Sequence, residues 1–233
     1  MFDIKKCILF EDKDIIVCRK PAGIAVQNAR IGAMDMESSL KNYFAAAGDR
    51  RQIPYLAVVH RLDQPVEGVL VFAKNPLAAK ELSGQIAAGK MEKIYLAVTF
   101  GQPHESQVLE DYLRKDGKTN TSSVVSPSTP GAKKARLSYE VLEKITDKIS
   151  GKKKWLLRIH LDTGRHHQIR VQMAHAGMPL AGDRKYGADS DIGIGVGNLA
   201  LCAASLTITH PVTKKVMKFQ TKPASSAFEG FKI

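Results

Sequence analysis

Apolar positions along the 233-residue chain fall into short runs separated by turn-prone residues. Cys7 to Phe10 and Asp14 to Cys18 are β-like, with the turn-prone Glu-Asp-Lys-Asp between them. Val69 to Ala73 is uninterruptedly apolar and reads as a buried strand. Met91 to Phe100 alternates: Ile94, Leu96 and Val98 point one way, Lys93, Tyr95 and Ala97 the other. Lys154 to Leu161 alternates again, with Trp155, Leu157, Ile159 and Leu161 on the expected core face. Ala135 to Leu142 looks like a returning strand, and Leu199 to Ala204, Thr207 to His210 and Val216 to Gln220 supply the last short elements. The stretch from His210 to Lys214 reads as a hairpin turn.

Helical spacing is confined to three places. Asp35 to Ala47 sets Leu40, Phe44 and Ala47 on one face, with Gly48 placed to stop it. Asn75-Pro76 reads as an N-cap followed by a proline at the first helical position, Gly89 closes that helix, and Ala78, Leu82 and Ile86 form a narrow apolar face. A third helix follows Gly164 and can end at Gly177. Many short strands interrupted by few helices indicate an α+β protein with a mixed, largely antiparallel sheet, read as a single domain over 1–233. No internal repeat is detectable.

Charge narrows the partners. Lys and Arg number 35 against 23 Asp and Glu, a formal net charge of +12, with a pI near 9.6. That balance suits a polyanion, nucleic acid first. Arg114 to Lys154 holds eleven of these cations against four acids, and reads either as a solvated face or as a contact for RNA backbone. Its Ser/Thr/Pro-rich middle, Lys118 to Gly131, reads as a loop or flexible hairpin. The start lacks the apolar core of a signal peptide, and no apolar stretch approaches a membrane span of about 20 residues, so no membrane association and a cytoplasmic location are expected. Cys7, Cys18 and Cys202 are far apart, outside any metal-ligand spacing, and are expected to be reduced and half-buried.

Candidate chemistry concentrates at a few turns. His60-Arg61-Leu62-Asp63, with Pro65 and Gly68, delivers a carboxylate to the mouth of a sheet, and a neighbouring arginine keeps it ionised. Lys20, before the Pro21-Ala22-Gly23 bend, either projects toward a phosphate or is a solvated surface lysine. Tyr95 shares a strand face with Lys93, a position where a tyrosine is usually a half-buried packing residue. Arg165 stands at a strand-to-helix turn, where its guanidinium can pair with a carboxylate or phosphate. His166 and His167 are adjacent and share no helix face, so no metal site is expected there. The Gly-rich stretch Asp189 to Gly197 lacks the context of a phosphate-binding loop and reads as a connection.

These residues resemble the signatures of the RluA-type pseudouridine synthases. The matching stretches, in order, are Lys20-Pro21-Ala22-Gly23; His60-Arg61-Leu62-Asp63 with Gly68 and Phe72-Ala73-Lys74; Lys93-Ile94-Tyr95; and Thr163-Gly164-Arg165-x-His167-Gln168-Ile169-Arg170-x-Gln172, continued by Gly177 to Asp183 and Lys185-Tyr186-Gly187. The resemblance runs from about Ile8 to Phe231. It implies a bent central sheet with the active cleft across its face, and isomerisation of uridine in structured RNA, ribosomal or transfer, to pseudouridine without a cofactor. It implies that Asp63 is the catalytic aspartate, that Arg165 ion-pairs with it, that Tyr95 stacks on the uracil, that Arg61 fills the space left by the flipped base, and that Leu180 lies near the base. His60, Lys93 and Lys20 are expected among the substrate-binding residues.

Whether Asp63 attacks the sugar, attacks the ring or assists an elimination stays open. Relatives often carry a small RNA-binding module ahead of the first strand; this chain is expected to begin directly at the catalytic domain and to act as a monomer. One departure is Val66-Glu67 where the family often has a small polar pair, placing an acid close to Asp63. Two other readings compete: a non-catalytic RNA-binding or ribosome-assembly protein on the same fold, and a nucleoside hydrolase that would release free uracil.

Overall fold

The structure, a computed structural model, describes residues 2–28, 32–47, 54–146, 151–187 and 198–233. Gly48 and the stretch 189–197 lie outside the described residues. Among those described, eleven strands and three helices alternate along the chain. They begin with β1 (Ile8–Glu11), β2 (Ile15–Lys20), α1 (Met36–Ala47), β3 (Ala57–Val58), β4 (Glu67–Ala73) and α2 (Pro76–Ala87). There follow β5 (Glu92–Thr99), β6 (Ser106–Asp116), β7 (Thr121–Val124), β8 (Lys133–Thr146) and β9 (Lys153–Leu161). The last are α3 (Gln168–His175), β10 (Leu201–Thr209) and β11 (Val216–Gln220). This is the α+β class expected, and no helix among the described residues is long and apolar enough to cross a membrane.

The chain divides into two compact units, Met1–Glu92 with Ala203–Lys222, and Lys93–Cys202 with Pro223–Ile233. In the first unit the strands run β1-β2-β4-β10, with β3 beside β4 and β11 beside β10. Strand β4 is buried at all seven positions, as its continuous apolar run requires. Ile15 and Val17 of β2, Val69 and Val71 of β4, and Leu206 and Ile208 of β10 form one core with Ala78 and Leu82 of α2, and Ile86 packs against it. The α2 cap is as read: Asn75 Oδ1 accepts from the Ala78 N–H at 2.9 Å. Gly68, at the head of β4, has φ +128°, and a Cβ there would lie 2.4 Å from the Ala203 carbonyl oxygen. Only glycine permits that approach.

In the second unit the order is β5-β9-β8-β6-β7, every neighbouring pair antiparallel. A small core of Leu113, Ala135 and Val171 joins β6 and β8 to α3. The Ser/Thr/Pro-rich stretch is a hairpin, with Thr121–Val124 paired to Leu113–Asp116. Strand β8 extends well past Leu142, because its pairing with β9 resumes after a bulge between Val141 and Glu143.

Three expectations are corrected. The two segments expected at 199–204 and 207–210 are joined in one strand, Leu201–Thr209, because Ser205 and Leu206 continue the β11 ladder opposite Gln220 and Phe219. The three cysteines form no disulfide and are buried rather than half-buried, behaving as small apolar residues. On β9, Leu156 is buried along with Trp155, Leu157 and Ile159, so the strand is covered on its second face at that position, while Arg158 on that face is exposed and Leu161 is only half-buried.

Candidate active site

In the first unit, Asp63 opens a turn closed by the Val66 N–H donating to its carbonyl at 3.0 Å. The side chain is half-buried, Leu62 beneath is buried, and Arg61 and Gln64 are exposed. The turn is fastened to the Lys20–Gly23 bend. Gly23 N–H donates to the Gln64 carbonyl at 2.9 Å, and Gln64 Nε2 returns a bond to the Gly23 carbonyl at 3.0 Å. Lys20 Nζ adds donations to the carbonyls of Pro21, Ile24 and Gln64 at 3.0, 2.6 and 3.0 Å.

Lys20 is therefore neither a solvated lysine nor one that projects toward a phosphate. It is completely buried, with three donors turned onto backbone carbonyls. Burial pushes its ammonium down to about 8, while the charges of Asp63 and Glu67 act to raise it. Glu67, the acid at the sequence departure, is also buried, so its charge belongs to the interior around Lys20. His60 is half-buried, and its Nε2 accepts the Val71 N–H at 3.2 Å, which ties the start of the motif to the strand that follows it.

In the second unit, Arg165 is exposed. Its Nε donates to the Lys134 carbonyl of β8 at 2.9 Å, and its N–H donates to Gln168 Oε1 at 3.0 Å. Gln168 also takes the Thr163 hydroxyl at 2.8 Å and passes its amide to the Arg136 carbonyl and Gln172 Oε1, both at 3.0 Å. Gln172 continues to Asp111 Oδ2 at 2.7 Å. On the next helix face Arg170 grips Asp183 through two bonds of 2.8 Å. Burial works to raise the Asp183 carboxyl, but the bonds and charge of Arg170, with the N–H groups of Lys185 and Tyr186, hold it below its usual value.

The histidine pair serves the same scaffold. His166 and His167 stack at 3.8 Å between ring centroids. His166 Nδ1 meets Ser122 Oγ at 2.9 Å, and His167 Nδ1 meets the Tyr186 hydroxyl at 2.6 Å. Burial first, then the cations Arg170 and Lys185 and the neighbouring His166, push His167 down to about 3. Among the described residues the group whose ligand atoms lie close enough for a metal ion is Asp12, Asp14 and His210. His210 Nδ1 accepts the N–H groups of Val212 and Thr213 at 3.2 and 3.0 Å. The ring proton therefore sits on Nε2 and is directed to Asp12 Oδ2 at 2.8 Å, leaving no lone pair there for a cation.

The second unit also holds Lys93, Tyr95 and Leu180. Tyr95 is buried in β5 opposite Ile159 of β9. Lys93 is half-buried, its ammonium lowered by burial, and a Cβ on Gly164 would lie 3.9 Å from its Nζ. Lys93 thus stands beside the turn that presents Arg165. Leu180 is buried and bridged to Thr99, four residues along β5 from Tyr95, about 13 Å at strand rise. The structure gives it packing.

Residues 14–175 match the model of the RNA pseudouridylate synthase family. The chain belongs to that family. The match includes Lys20, the turn carrying Asp63, Lys93, Tyr95 and Arg165, and stops before Leu180. The chain is 34% identical to the ribosomal large subunit pseudouridine synthase D of Nitrosomonas europaea, over 92% of its own length and 61% of the relative's. It is likewise 34% identical to the ribosomal large subunit pseudouridine synthase C of Escherichia coli, over 91% and 65%. It thus spans somewhat under two thirds of these relatives. The fold matches that of human RNA pseudouridylate synthase domain containing 1 with a TM-score of 0.77 at 20% identity, covering 96% of this chain and 86% of that one.

Sequence reasoning missed the buried polar scaffold of Gln168, Arg170, Gln172 and Asp183. A signal existed: Gln168 and Gln172 are four residues apart, as are Ile169 and Met173, so amides and apolar groups each form a row on a short helix. All six residues from Gln168 to Met173 are buried, so both rows face the interior.

Proposed function

We propose that this chain is an RNA pseudouridine synthase, acting without a cofactor on uridines of ribosomal or transfer RNA. Asp63 carries the reading: a half-buried carboxylate on a turn pinned to a buried lysine, within the stretch that matches the family. To reach a stacked uridine the enzyme must flip the nucleotide out, at a cost of a few kcal/mol that phosphate contacts and stacking offset. In this reading Asp63 reacts, Arg165 orients it, Tyr95 stacks on the uracil and Arg61 occupies the vacated space. Lys20 and His60 act through the backbone they hold. Exposed cations on β6, β8 and β9, among them Arg114, Lys115, Lys133 and Lys153, supply backbone attraction. The protein works in the cytoplasm as a monomer, away from membranes.

The test is tritium release from transcripts labelled at uracil carbon 5. Wild type releases tritium to water, while Asp63→Asn lowers the rate by more than about a thousandfold and keeps its affinity for RNA. Binding that falls as far as activity would sink the assignment. Tight binding with no release from any transcript would favour the non-catalytic reading, and free uracil among the products would favour the hydrolase.

A further inference from the structure

The segment 25–28 and the turn 61–64 line an open hollow of about 220 Å³ within the first unit. Its floor is apolar, since Val26 and Leu62 are 3% and 7% exposed. Its rim carries the exposed side chains of Gln27, Asn28, Arg61 and Gln64. Both walls are set before any ligand arrives. The carbonyls of Ala25 and Val26 accept the Met36 and Glu37 N–H groups at 3.0 Å each, and the Asn28 N–H donates to Asp35 Oδ2 at 2.8 Å. The facing wall is the turn already bound to Lys20 and Gly23. A cavity walled this way loses little freedom on binding.

Amides with a donor beside an acceptor, above an apolar floor and next to a guanidinium, form a set that takes a nucleobase. The flat face packs on the floor and the edge meets the amides. The size lies below the roughly 300–1,000 Å³ of pockets for larger ligands, which suits one ring system. Asp63 does not line the hollow, and Arg61 on its rim is two residues away, at most about 7 Å along the chain.

We propose that this hollow is a subsite for one unpaired nucleobase next to the uridine that is isomerised, and that it reads sequence context. The proposal rests on the synthase reading above. When Arg61 enters the stack, the base beside it loses its neighbour and turns into the hollow, while the target uridine goes to Asp63.

The test uses the full chain and the transcript that wild type modifies, prepared intact and with an abasic ribose on either side of the target. In the Gln27→Ala/Asn28→Ala double variant two rim amides are lost and Asp63 is untouched. Wild type is expected to lose about tenfold in kcat/KM on one of the abasic RNAs, and the double variant about tenfold on intact RNA. The abasic change then costs the variant nothing further, because both remove the same contact. Losses that multiply independently would overturn the subsite. A second arm needs no turnover. A short single-stranded RNA carrying 2-aminopurine brightens with wild type, because the base leaves its stack for a hollow lined by no aromatic side chain, and does not brighten with the variant; equal brightening, or none with either, overturns the subsite. Brightening with wild type and no tritium release from any transcript would overturn the synthase reading and uphold the nucleobase site.

Discussion

The turn carrying Asp63 and the turn carrying Arg165 both present a charged side chain from irregular backbone, and they are held by opposite means. Under Asp63 lies a buried cation whose three donors end on backbone carbonyls. Burial lowers its ammonium to about 8, and the charges of Asp63 and Glu67 act against that fall without displacing the carbonyl bonds. Under Arg165 lies a side-chain network in which two buried charges meet as a bidentate pair, Arg170 with Asp183, and the amides of Gln168 and Gln172 lead on to the half-buried carboxylate of Asp111. A buried cation shared among dipoles stays responsive to pH and to nearby charge; a buried cation paired face to face with a carboxylate does not, but fails badly when its partner is removed.

The sharpest way to break this contrast is to unpair Arg170. Asp183→Ala is expected to cost about 3–5 kcal/mol in denaturant unfolding, because it strands a buried guanidinium. A loss under about 1 kcal/mol would mean that the pair does not anchor the second turn. Lys20→Met comes next. Three carbonyls lose their donor, at about 1–3 kcal/mol for a buried group left unsatisfied. That loss is partly offset because the wild-type lysine is itself charged at a burial cost, so a net loss of about 2 kcal/mol is expected. Displacing the Asp63 turn by about 1 Å should also lower turnover on the order of a hundredfold.

Lys20 sharpens the contrast further through pH. Its folded value, about 8, lies below the ordinary 10.5, so the unfolded chain binds the proton more tightly. The penalty is full below about pH 8 and is relieved as pH rises toward 10.5. Wild type should therefore gain stability relative to Lys20→Met over that window, and parallel melting curves for the two would refute it. A second pH effect belongs to His167, whose folded value of about 3 lies below 6.5. Its contribution is full above about pH 6.5 and is lost as pH falls toward 3. Asparagine tolerates the φ of +54° at this position, so His167→Asn should show a shallower fall in melting temperature between pH 7 and 4. An unchanged slope would show that His167 is not part of the acid sensitivity.

Much of the fold was legible because burial and periodicity are local. The continuous apolar, β-rich run at Val69–Ala73 read as a buried strand, and Asn75-Pro76 marked its own helix start. The order of the motifs was likewise legible, and the family match includes the stretches that carry Lys20, Asp63, Tyr95 and Arg165. What could not be read was which polar residues face inward. A lysine before Pro-Ala-Gly is solvated by default, since burying an ammonium requires acceptors, and the acceptor at Gln64 lies forty-four residues away in sequence. Gln168 and Gln172 carry the same ambiguity, since their partners come from β6 and β8.

By itself, then, the sequence determined most of the strands, though not β3 or β6, the helix starts and the basic character, because each follows from neighbours a few positions apart. The tertiary structure alone decided that Lys20 and Glu67 are interior, that most of the polar residues around Arg165 are scaffold, and that Leu180 packs beside Thr99. Those outcomes depend on hydrogen-bond partners brought together from distant segments, and a buried polar group is stable only where such partners arrive.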